Sequence, residues 1–153
     1  TMSEKQNPQL SFFQKMIGKE LTNTPSPAGN WLAGTLLEVE FGFSKVEFEV
    51  RNEFCNPGRI LHGGISSLML DDVIGIANFA LGSEYLMSSI NLNVDFLSSA
   101  KFGEKVQVEA KLIRSGANLN HWEAVIKKES GKIVAKASSN MIKTHVKLSE
   151  LGL

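Results

Sequence analysis

Residues able to do chemistry gather in the middle of the chain: Asn56, the run His62-Gly63-Gly64, the neighbours Asp71 and Asp72, and Ser89, eighteen positions beyond Asp71. A carboxylate in an apolar segment must be hydrogen-bonded, paired or protonated, and burial raises its pKa toward the range of a general base. Adjacent helical residues point about 100° apart, so Asp71 and Asp72 cannot share a proton, and at most one faces a given site. The other reading of such an aspartate is a structural one, tied to backbone or to a neighbouring subunit. His62-Gly63-Gly64 stands where a helix should begin. Backbone N–H groups are unpaired there and glycine lets a ligand approach, so the turn can hold a carbonyl oxygen that becomes negative during reaction. The same residues also describe a tight turn with a locally bonded histidine.

Other chemistries lack their parts. Cys55 is the one cysteine; a lone cysteine is usually a small core residue, and nearness to His62 in sequence does not make it a nucleophile. His121 and His145 have no partners at metal-ligand spacing, so no metal site is expected. There is no Gly-x-Ser-x-Gly elbow and no phosphate-binding glycine loop.

The element that must carry the aspartates begins at Gly64, after which Ile65, Leu68, Met69, Val73, Ile76 and Ala80 recur at steps of three and four. Leu70, Ile74, Phe79 and Leu81 fill much of the remaining wheel, so this helix is expected to be buried. About 18 residues at about 1.5 Å each make a rod of roughly 27 Å, long enough for a domain to wrap around. Two aspartates near its middle argue against a membrane span. Gly82 terminates it.

Alternating runs surround the helix. Thr35–Phe41, with Leu37, Val39 and Phe41 inward, and the run through Val46, Phe48 and Val50 read as a hairpin. Met87–Leu97 carries Ile90, Leu92, Val94 and Phe96 on one face and Ser89, Asn91, Asn93 and Asp95 on the other. Three further strands run through Val106–Leu112, Trp122–Ile126 and Ile133–Met141, linked by short turns. Residues 1–9 are polar and expected to be loose. Leu10 to Leu21 reads as a short amphipathic helix, residues 22–30 as a loop, and Trp31 as the start of extended chain. The plan is α+β: an antiparallel sheet of about six strands curled round one long helix, with an extra N-terminal helix.

With 153 residues, 42% of them hydrophobic, the chain suits one core better than two. A single domain over 1–153 is expected, with an N-terminal extension to residue 30 and a core over 31–145. Sixteen basic residues balance sixteen acidic ones, so no net field draws nucleic acid or an anionic membrane. No signal peptide is recognisable. One cysteine fits a reducing compartment, the cytoplasm by default.

The spacing of Asn56, His62-Gly63-Gly64, Asp71 and Ser89, with the Ala100–Glu104 turn, resembles the phenylacetate-type branch of hotdog-fold acyl-CoA thioesterases over roughly Trp31 to His145. The resemblance implies two subunits joined through their sheets with sites between them, and dimers that often pair into tetramers. It implies hydrolysis of an acyl-CoA thioester with no metal or organic cofactor. Asp71 would act as general base or nucleophile, Ser89 would place the attacking water, and the Gly63 N–H would polarise the carbonyl. Asn56 and His62 would position the carbonyl and support the base, with Gly64 beside them. One departure stands out: the family commonly has glycine three after the asparagine, where this chain has Arg59, a residue that could instead meet a coenzyme A phosphate. The rival readings are a hotdog module that binds acyl-CoA without turnover, and a hydratase or dehydratase on the same fold, whose histidine and acid pattern is not evident.

Overall fold

The computed structural model describes residues 7–153; the looseness expected of residues 1–9 lies outside the described residues over 1–6 and is overturned over residues 7–9, where Asn7 is buried and caps a helix that begins at Pro8. The elements in chain order are α1 (Pro8–Gln14), α2 (Pro27–Leu32), β1 (Thr35–Glu40), β2 (Phe43–Glu49), α3 (Gly63–Phe79), β3 (Tyr85–Phe96), β4 (Lys105–Ser115), β5 (Leu119–Lys128) and β6 (Ile133–Lys147). The strands form one antiparallel sheet in the order β1-β2-β4-β5-β6-β3. The sheet curves round α3, whose Met69, Leu70, Val73, Ile74 and Ala77 are fully buried. This is the hotdog arrangement expected of the sequence.

Two buried polar links fix α3 against the strands. The Ser44 hydroxyl donates to the Val73 carbonyl at 2.8 Å. Near the far end of the helix, Asn78 Oδ1 accepts from Trp122 Nε1 at 3.1 Å and from Asn120 Nδ2 at 3.0 Å. A buried indole N–H without an acceptor would cost about 1–3 kcal/mol, so Asn78 sets the rotation of α3 over β5.

Four further expectations need correction. The amphipathic run from Leu10 to Leu21 is helical only to Gln14; Met16–Lys19 turn, and Glu20 bridges to Thr35. The segment expected as loop and then extended chain contains α2, with Trp31 inside it: Ser26 caps the Gly29 N–H at 3.0 Å and Pro27 fills the first turn, where its missing N–H costs nothing. In β1 the pairing slips between Leu36 and Glu38, so Leu36 and Val39 are buried while Phe41 is 59% exposed. In β3, Ile90 and Phe96 are 57% and 60% exposed rather than inward; Ile90 falls where the register shifts between Ser89 and Asn91. Among the described residues no helix is long and apolar enough to cross a membrane.

Candidate active site

The loop before α3 is a tight turn. The Asn56 carbonyl accepts from the Arg59 N–H at 2.9 Å, the Asn56 N–H donates to the Ile60 carbonyl at 2.9 Å, and Asn56 Oδ1 accepts from the Gly58 N–H at 2.9 Å. Such a turn places its fourth residue in the left-handed region, and Arg59 has φ +57°. Arginine therefore occupies the position where glycine is unstrained. Its guanidinium lies 4.4 Å over the Phe102 ring. With Oδ1 engaged by the turn, the Asn56 amide nitrogen is the part of the side chain left for a ligand.

His62 caps α3. Its Nδ1 accepts from the Gly64 N–H at 2.8 Å, which leaves Nε2 as the donor of the neutral ring, and its own N–H donates to the Phe54 carbonyl at 2.8 Å. The Gly64 N–H is thus spoken for. The Gly63 N–H has no acceptor among the described residues and sits at the electropositive end of a 17-residue helix. A Cβ on Gly63 would lie 3.2 Å from the Phe96 ring, so glycine admits that ring over the helix start.

The two aspartates have different partners. The exposed Ser89 hydroxyl donates to Asp71 Oδ1 at 2.9 Å. Asp72 turns toward α2, where the Ser26 hydroxyl donates to its Oδ1 at 2.8 Å. Burial pushes the Asp72 carboxyl above its ordinary value of 3.8; the Ser26 bond opposes this and the Asp71 charge adds to it. A Cβ on Gly29 would collide with the Asp72 carboxylate, so glycine lets α2 close on it.

Both aspartates and Ser89 border a cleft of about 630 Å³ that runs along α3 past Gly75, Ile76 and Phe79, against Tyr85–Ser89 of β3 and beneath Leu148, Leu151 and Leu153. Neither this cleft nor the Ser26–Asp72 contact was found from the sequence. The one available signal was Ser26-Pro27, a cap followed by a first-turn proline. Elsewhere, Cys55 Sγ lies 3.5 Å from the Arg51 carbonyl with no histidine bonded to it, and His121 Nδ1 pairs with Asn140 Oδ1 at 2.7 Å. No cluster of three or more metal-capable side chains occurs among the described residues.

Along α3, Gly63 and Asp71 are eight residues apart, about 12 Å at about 1.5 Å per residue. Within one chain that length of helix separates the Gly63 N–H from the residue that carries the Asp71 carboxylate.

The model of the thioesterase superfamily matches residues 58–135. The chain is 27% identical to a putative esterase of Archaeoglobus fulgidus over 74% of its own length and 73% of that protein. It is 26% identical to acyl-coenzyme A thioesterase 13 of Homo sapiens over 67% of its length and 74% of that protein. Its fold is similar to that of a mutant of the phenylacetic acid degradation protein PaaI from Thermus thermophilus, with a TM-score of 0.72 at 19% identity, covering 78% of this chain and 100% of that one.

Proposed function

The chain belongs to the thioesterase superfamily, and from that premise we propose that it is a single-domain subunit of an acyl-CoA thioesterase that releases a free acid and coenzyme A by aspartate-assisted attack of water. The observation that carries the reading is the Asp71–Ser89 pair at the mouth of a cleft, with an unpaired helix N-terminus about 12 Å away on the same helix. A second copy of the chain closes that gap. Asp71 and Ser89 of one protomer then face Asn56, His62 and Gly63 of its partner.

Ser89 orients the Asp71 carboxylate beside the water. Asp71 takes the water's proton as the oxygen bonds to the thioester carbon, and the negative charge moves to the carbonyl oxygen. The Gly63 N–H donates to that oxygen, backed by the helix dipole, and the Asn56 amide nitrogen donates beside it. His62 holds the turn through its bond to the Gly64 N–H, and the missing Gly64 side chain makes room for the His62 ring, keeping this backbone close to the thioester. Collapse of the tetrahedral centre breaks the C–S bond, and the proton held by Asp71 passes to the departing thiolate. Arg59, braced on Phe102, offers its outward N–H groups to a coenzyme A phosphate.

Support for the second copy lies in β3. This strand of 12 residues is at the edge of the sheet with Ile90 and Phe96 exposed, and an open apolar edge is a template for pairing. The active form is a homodimer, alone or paired into a tetramer, working in the cytoplasm.

Asp71→Asn keeps an acceptor for Ser89 but cannot take a proton. Turnover of the best acyl-CoA, followed by thiol release, should fall at least about a hundredfold. Full activity in that variant would refute the role given to Asp71.

A further inference from the structure

Among the described residues nothing accounts for Gly75. It lies inside α3, where glycine is unfavourable relative to alanine. It does not adopt a positive φ, and a Cβ built on it would meet nothing within 4 Å among the described residues. Neither backbone conformation nor packing calls for a missing side chain here, unlike Gly29 or Gly63, where a neighbour occupies the space.

The open space above Gly75 belongs to the cleft. Asp71, Gly75 and Phe79 are spaced by four, so they lie one above another on a single face of α3, and all three line it. Past Gly75 the described lining becomes mostly apolar, with Ile76, Phe79, Met87 and Leu148 beside Ser83 and Tyr85. The one amide there, Asn78, has its oxygen committed to Trp122 and Asn120.

Resting on the thioesterase reading above, we propose that Gly75 is the specificity-determining residue for the acyl group, its missing side chain opening the route by which an unbranched aliphatic chain passes from Asp71 into the apolar end of the cleft. From Asp71 to Phe79 the helix advances about 12 Å, the extended length of an acyl chain of about ten carbons. Each methylene buried along that path should improve kcat/KM by about three- to fourfold until the end at Leu148 and Leu151 is reached. A side chain at position 75 would stand across the route and leave the reacting end untouched.

The test is thiol release from acetyl-, butyryl-, octanoyl-, decanoyl- and palmitoyl-CoA by the wild type, Gly75→Ala and Gly75→Leu. In the wild type kcat/KM should climb to about ten carbons and rise no further. In Gly75→Leu the decanoyl value should drop at least about thirtyfold while acetyl and butyryl stay within about threefold. Gly75→Ala adds one methyl in open space on a better helix former, so it folds even if the leucine variant does not, and its decanoyl-to-butyryl ratio should fall about threefold. A ratio unchanged in both variants, or an equal loss on every substrate, overturns the proposal.

If the wild type releases no thiol from any of these compounds, the thioesterase reading fails and calorimetric binding decides the cleft. Decanoyl-CoA binding weakened by Gly75→Leu or Gly75→Ala, with acetyl-CoA binding unchanged, supports the route over Gly75. Equal affinities in wild type and variants overturn it.

Discussion

Asp72 is better accommodated in the fold as the neutral acid than as the carboxylate. Burial raises its pKa, so the folded chain holds that proton more tightly than the unfolded chain does. For a carboxyl shifted upward, the stabilising contribution is present below the ordinary value of 3.8 and is lost as the pH climbs through the raised one. Each unit of upward shift costs about 1.4 kcal/mol once the group is ionised. Asp72→Asn keeps an oxygen for the Ser26 hydroxyl and removes the buried charge. Its thermal midpoint near neutral pH should exceed that of the wild type, and its stability should vary less with pH on the acid side, both readable by calorimetry. A lower midpoint at neutral pH would show that the charge itself is needed. The sequence distinguishes the two aspartates by helical angle alone; assigning Ser89 to Asp71 required the family resemblance. Ser26 went unseen because Asp72 meets it 46 positions away, and spacing along a chain carries no information about such a contact.

The turn from Asn56 to Ile60 shows how an element can keep its shape against its sequence. Arg59 adopts φ +57° where glycine would be relaxed, and a side chain in the left-handed region costs about 1–2 kcal/mol. Replacing Arg59 removes the Phe102 contact whichever small residue follows, so glycine and alanine variants isolate the backbone term. Urea unfolding should place Arg59→Gly about 1 kcal/mol above Arg59→Ala. Equal stabilities would mean that the residue is not left-handed in solution. Both variants should bind coenzyme A more weakly than the wild type if the guanidinium meets a phosphate. Elements with a long, regular period were legible: α3, β2, β4 and β5 stand close to where alternation or helical spacing put them. Elements governed by one local event were not. The slip in β1 moves Leu37 off the inner face, and the short α2 depends on a single cap rather than on a repeating pattern.

At the scale of the molecule, the sheet-and-helix plan could be read from the order of periodic runs, because each run has one apolar face to hide and few layers can hide them all. The cleft could not, since it is the space that α3, β3 and the C-terminal leucines leave between them. Nor could the exposure of Ile90 and Phe96, whose pattern promises burial that one chain does not supply. The separation of Gly63 from Asp71 along α3 has a genetic consequence. Gly63→Pro deletes the N–H at the first helical position, where proline is tolerated, where extended His62, at ψ 135°, can precede it, and where the exposed Phe96 ring must swing aside for the new ring. Pairs built only of Gly63→Pro chains, or only of Asp71→Asn chains, should be inactive. Mixed by refolding or co-expression, half of the pairs combine the two lesions, and each mixed pair keeps one intact site, so about a quarter of wild-type activity should return. Were both groups to serve one site within one chain, no mixture would recover. Such complementation would make activity a property of the pair, with a defective copy rescued by another that is defective elsewhere.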